Sequence, residues 1–241
     1  IDPALRKAFP DANAYAIPYF WGTLGILYRS DLVQAPIRSW SQLFNPTSDL
    51  QGKIVMLEDG RDLISMGLKA LGYSANSMNK SHLKAVETLL VAQKPFVKSY
   101  LSSLTLDADS PLVSGEIVAA MSYNGDALMV KEHHPKLTYV LPKEGGNIWI
   151  DYLAIAARAR DPELAYLFLN FINEPANAAQ LARFVHCASP NKEAEKLLSA
   201  SFLNDPSIYP ANKSLVKSEV YKPLTPRVQR KHNQIITRVL R

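Results

Sequence analysis

Trp149 and Asp151 stand two residues apart in the run Pro142-Lys143-Glu144-Gly145-Gly146-Asn147-Ile148-Trp149-Ile150-Asp151-Tyr152-Leu153-Ala154-Ile155. After its Gly-Gly turn signal the run is β-branched and aromatic, so it reads as a loop feeding a strand. Side chains alternate along a strand, which puts Trp149 and Asp151 on one face and Ile148 and Ile150 on the other. An indole beside a carboxylate suits an ammonium group, offering an anion for its N–H donors and a π-face for its methylenes. A second reading makes Trp149 a core residue and Asp151 a turn or edge residue.

Asp59 and Asp62 lie where a strand pattern, Lys53-Ile54-Val55-Met56-Leu57, gives way to a helix from Leu63 to Leu71 closed by Gly72. In open α/β sheets ligands gather at such strand ends. The same D-x-x-D spacing also fits a capping box in which Asp59 binds the first-turn amides. An amine at this point would need the carboxylates to outweigh the positive end of the helix dipole. Tyr123-Asn124-Gly125-Asp126 repeats the strand, turn and helix order, with Asp126 as an expected cap and Tyr123 as either a cleft wall or core. Gly145-Gly146 is either an anion cradle or a turn.

Catalytic and metal-binding patterns are thin. His186 and Cys187 are sequence neighbours, which says little about a catalytic pair, and His133-His134 lacks the i,i+4 spacing of a helical zinc site. There is no GxSxG, P-loop or GxGxxG, so no cofactor and no metal is expected. An enzyme using Asp59, Asp62 or Cys187 is the reading from a different class.

The elements that position these residues alternate between strand and helix. Ala14–Tyr28 reads as two extended runs either side of Gly22, and Ser39 caps a short helix through Phe44. Ser81–Gln93 carries Leu83, Val86, Leu89 and Leu90 at helical spacing. Strands follow at Phe96–Leu101, Glu116–Tyr123 and Leu137–Leu141, and helices from Asp161, Pro175, Asn191 and Glu219. This alternation argues for α/β layers with largely parallel sheets.

The chain has 241 residues, 47% hydrophobic and 20% charged, with a net charge of +5 and one cysteine. That size suits one large domain or two lobes. No apolar run approaches the ~18–20 residues of a membrane-spanning helix. Ile1 follows no Met, basic stretch or apolar stretch and reads as a cut end, natural or engineered. The basic residues are dispersed and not interleaved with aromatics, against a nucleic-acid partner. Their densest cluster, Arg227 to Arg241, reads as the solvated face of a terminal helix.

Six segments together carry a family resemblance: Pro18–Tyr28 (PYFWGTLGILY), Leu57–Ser77 (LEDGRDLISMGLKALGYSANS), Gly115–Ala127 (GEIVAAMSYNGDA), Pro142–Ile155, and the later LNFINEPANAAQLA and ASPN stretches. In this order the chain is similar to the spermidine/putrescine-binding proteins of bacterial ABC importers. The resemblance implies a type II periplasmic binding fold of two α/β lobes joined by crossover strands. Lobe 1 would be represented by residues 1–26 and 151–193, and lobe 2 by 27–150 and 194–241. Family members carry roughly a hundred further residues ahead of Ile1, so lobe 1 is expected to be incomplete, with a fragment the preferred explanation.

By resemblance Asp59 and Asp62 match the carboxylate pair of one lobe, Asp151 the acid that grips an amine, and Trp149 the indole stacked on the methylenes. Tyr123 stands where members commonly have Trp, Tyr221 where they have Gln, and Cys187 where a Tyr lines the cleft. The implied function is periplasmic capture of a polyamine, by a monomer serving an ABC permease. The alternative of the same fold is a polyamine sensor coupled to a membrane receptor.

Overall fold

The computed structural model describes residues 1–241, apart from the side chain of Pro10. Its longest strand, β1 (Ala16–Arg29), runs unbroken through Pro18 and Gly22, where two separate runs were expected. Trp21 keeps that stretch paired by exchanging backbone hydrogen bonds with Ala188, at 3.1 and 3.2 Å.

Five strands follow: β2 (Ile54–Leu57), β3 (Val97–Leu101), β4 (Ala119–Tyr123), β5 (Leu137–Val140) and β6 (Ile148–Ala154). Their order is β3-β2-β4-β1-β5, with β6 also on β1. β2 pairs in parallel with β3 and β4, whereas β1 pairs antiparallel with β4 and β5. The sheet is therefore mixed, and the largely parallel expectation holds only for β3-β2-β4. The parallel strands are separated in sequence by helices that carry the chain back across the sheet, as parallel pairing demands.

The chain divides into two compact units. The second, Thr23–Ile148 with Ala211–Arg241, is built by strand alternation. Leu24, Ile26, Ile54, Met56, Ala119 and Met121 enter one apolar cluster, which also takes in residues of the helices Gly60–Ala70, Lys80–Gln93 and Pro226–Leu240. Leu27, Val55 and Ala120, one residue out of phase, enter a separate cluster containing Ala127 and Val130 of the helix Asn124–Lys131. A sheet covered on both faces explains why all four residues of β2 are apolar and buried.

The Gly145-Gly146 turn is filled by this unit's own chain. A Cβ on Gly145 would collide with the backbone of Lys217 and Ser218, and one on Gly146 with the Leu24 carbonyl. Gly145 also has φ of 79°, a conformation that glycine adopts without strain. Glu219 ties the returning segment down. Its carboxylate accepts from the Ala75 amide at 2.9 Å, the Ser74 hydroxyl at 2.5 Å and Lys69 Nζ at 3.0 Å. Burial opposes its ionisation, yet these donors bring its carboxyl down to about 2.

The first unit, Ile1–Gly22 with Trp149–Pro210, has a smaller core. Phe20, Ala178, Ala179, Ala182, Ala194 and Leu198 pack together, flanked by Tyr19, Trp149 and Phe202. Residues 194–210 therefore belong here and not with the second unit, where the sequence placed them. The helix Pro162–Asn173 is capped by the Asp161 carboxylate on the Leu164 amide at 2.9 Å. It buries only Ile172 and leaves Leu167, Phe168 and Phe171 exposed.

Candidate functional site

In the second unit, Asp59 is the N-cap of the helix Gly60–Ala70. Its Oδ1 accepts from the amides of Arg61 at 2.8 Å and Asp62 at 3.0 Å, which satisfies two of the amides that a helix start leaves unpaired. The cap reading holds, and it leaves Asp59 exposed with its Oδ2 taking no hydrogen bond among the described residues.

Asp62, one turn on, points inward and is only 2% exposed. Tyr123, at the end of β4, donates its hydroxyl to Asp62 Oδ2 at 2.5 Å. Tyr221 donates to Oδ1 at 2.6 Å. Each carboxylate oxygen thus holds a phenol, the compensation that burying a carboxylate requires. Burial raises the Asp62 carboxyl above its usual value, and the two phenols offset part of that rise. Burial and the adjacent Asp62 charge raise both phenols in turn.

Arg61 completes the cluster. Its guanidinium lies over the Tyr221 ring, 4.7 Å from the centroid, within cation–π range. Its Nη2 donates to Asn76 Oδ1 at 2.8 Å and to the Lys222 carbonyl at 3.1 Å. Asp59, Gly60 and Arg61 also line an open hollow of about 390 Å³ with Gln229, His232 and Ile236. Burial, with Arg61 nearby, lowers His232 to about 4, so its imidazole is neutral at physiological pH.

In the first unit, Trp149 and Asp151 are alternate residues of β6 and so share a face. Trp149 packs against the Phe20 cluster, as Tyr19 also does, so the core reading of its ring is partly right. Asp151 is solvent-reachable, and partial desolvation lifts its carboxyl. Burial, with the Asp151 charge nearby, raises the Tyr19 phenol. Asp151 thus lies near the Tyr19 phenol and on the strand face that carries the Trp149 indole.

Other candidates fall away. Asp126 is not a cap, since Tyr123 occupies that position and makes no side-chain cap bond; Asp126 sits half-buried in the first turn. Cys187 is buried, and its thiol donates to the Val185 carbonyl at 3.3 Å. Among the described residues no group of three or more His, Cys, Asp or Glu side chains could hold a metal ion. The sequence reading assigned no role to Arg61 or Tyr19. Arg61 was in view inside the D-G-R-D run, while Tyr19 was hidden in a strand pattern.

A family model for bacterial extracellular solute-binding proteins matches residues 1–211. A spermidine/putrescine-binding periplasmic protein of Escherichia coli (strain K12) is 34% identical over 221 residues, covering 91% of this chain and 62% of the relative. A putrescine-binding periplasmic protein of Pseudomonas aeruginosa (strain UCBPP-PA14) is 33% identical over 242 residues, covering 94% and 65%. The chain thus spans less than two thirds of the length of these curated relatives. The crystal structure of a spermidine/putrescine ABC transporter substrate-binding protein from Streptococcus pneumoniae superposes with a TM-score of 0.81 at 28% identity, over 94% of this chain and 69% of that one.

Proposed function

Because the chain belongs to the bacterial extracellular solute-binding protein family, we propose that the protein captures a polyamine in the periplasm and delivers it to an ABC permease, without chemical turnover. The observation that carries the reading is the pairing of a carboxylate with aromatic side chains in each unit. Asp59 lies beside the Tyr123–Asp62–Tyr221 cluster in one, and Asp151 follows Trp149 and borders Tyr19 in the other.

The chemistry fits a linear cationic chain. A primary ammonium is costly to desolvate and needs anionic acceptors, and its methylenes need apolar walls. Asp59 and Asp151 supply the acceptors, and Trp149 and Tyr123 the walls. Asp62 and Tyr221 act from behind. With both of its oxygens engaged by phenols, Asp62 fixes the Tyr123 and Tyr221 rings and adds negative potential without offering a free oxygen to the cargo. A net charge of +5 is no obstacle, since charges beyond about 8–10 Å are screened at physiological salt while those in contact are not.

Isothermal titration tests the proposal. Putrescine or spermidine is expected to give a saturable 1:1 heat, with glutamate and glucose as silent controls. A protein that binds neither amine overturns it.

A further inference from the structure

Eight of the 27 Lys and Arg residues, but only one of the 22 Asp and Glu residues, fall within residues 211–241. The chain's whole positive surplus therefore sits in its last 31 residues, and the rest is slightly acidic. The helix Pro226–Leu240 concentrates it. At the ~100° turn per residue of an α-helix, Arg227, Arg230, Lys231, Arg238 and the following Arg241 fall within about 100° of arc. Val228, His232, Ile235 and Val239 are buried on another side. The result is a straight basic strip about 20 Å long.

Little nearby charge neutralises this strip. Glu87 is the acid against it, with its side chain 4% exposed. Glu87 takes Lys231 Nζ at 2.9 Å, Arg238, and Lys84 Nζ at 3.9 Å, so three cations share one anion. Arg227, Arg230 and Arg241 are exposed and make no ion pair among the described residues. Helix stability accounts for Arg241, which stands at the C-terminus where the dipole favours cations, but not for Arg227 and Arg230. Arg227 stands in the first turn, where the dipole favours acids. Arg227 with Arg230, Arg227 with Lys231, and Arg238 with Arg241 are like-charge neighbours at i,i+3 or i,i+4, which weaken a helix.

We propose that this strip is an electrostatic docking surface for the anionic headgroups of a phospholipid membrane. A flat, fluid array of phosphates suits a straight row of cations. A protein partner would call for a central apolar or aromatic anchor, and the exposed residues along the strip include none. The exposed Leu240 lies outside the arc of the strip, so association is peripheral, reversible and governed by salt. The same helix borders the Asp59 hollow through Gln229, His232 and Ile236, but none of the strip's arginines or its lysine is assigned to cargo, so vesicle binding and amine binding are tested separately.

Co-sedimentation with vesicles tests it. The protein is expected to bind phosphatidylglycerol-containing vesicles at about 50 mM salt, to ignore pure phosphatidylcholine, and to dissociate by about 300 mM salt. The variant R227E/R230E/R241E should lose at least about tenfold in partitioning. The control K53E/K131E/K143E, with the same net charge but exposed lysines changed elsewhere, should retain binding. Circular dichroism confirms that both are folded, and R227Q/R230Q/R241Q repeats the test without charge reversal. Absence of binding to anionic vesicles, an equal loss in both triple variants, or retention on immobilised polyglutamate without vesicle binding overturns the proposal. The last outcome would point to an acidic protein partner.

Discussion

Tyr221 donates its hydroxyl to Asp62 across 159 positions of sequence, at 2.6 Å. With Tyr123 on the other oxygen, it turns a buried carboxylate into the fixed point about which two aromatic rings are set. Tyr221→Phe leaves Asp62 Oδ1 without that donor in a nearly dry setting, and should destabilise the protein by about 1–3 kcal/mol in urea unfolding. An unchanged midpoint would show that the hydroxyl does not hold the carboxylate.

Asp62 also predicts an unusual pH signature. Its carboxyl is raised in the folded state, so its favourable contribution is full below the ordinary Asp range and is lost as pH rises through the raised value. Wild type should therefore lose stability relative to Asp62→Asn as pH rises above the ordinary Asp value of about 4. A difference that grows in the wild type's favour over that range contradicts the burial of an under-compensated acid.

Two groups of opposite character set the acid limit. His232, lowered to about 4, contributes stability above its unfolded value of about 6.5, and this is lost as pH falls toward 4. Glu219, lowered to about 2, adds stability that is present above about 4.5 and is lost between there and 2. Thermal melts of Glu219→Gln should show a deficit of roughly 2–3 kcal/mol at pH 7 that shrinks below pH 4. A pH-independent deficit would mean that packing, not charge, is what the substitution removes.

Glycines of similar dihedral should respond unequally. Gly72, with φ of 80° and nothing within 4 Å of an added Cβ, should tolerate alanine at a cost of about 1 kcal/mol. Gly145, with φ of 79° and the Lys217 backbone against it, should lose more than about 3 kcal/mol or fail to fold. Equal effects in chemical denaturation would remove the close approach as the reason for the Gly-Gly turn.

The parts of the fold legible in the sequence are those decided locally. The caps at Ser39, Asp59 and Asp161 and the period of the helix Lys80–Gln93 depend on residues a turn apart. The antiparallel placement of β1 was not legible, because Leu24 meets Tyr123 about a hundred residues on. Nor was the grouping of 194–210 with the first unit, which depends on Ala194 and Leu198 reaching Phe20. At the site, the residue types of Asp59, Asp62, Tyr123 and Tyr221 could be nominated in advance. The engagement of both Asp62 oxygens by phenols could not, since it is fixed only when β4, the Asp59-capped helix and the returning segment meet.

Titration of putrescine and spermidine into wild type and Asp151→Asn is the most direct measurement of the central claim. Wild type should bind at least one of the two amines. The variant should be weaker by about 30-fold or more, as expected when one member of a charge-assisted contact is removed, while its melting temperature is unchanged. No binding by wild type, or equal affinity in the variant, would contradict the assignment of this acid and aromatic surface to a polyamine.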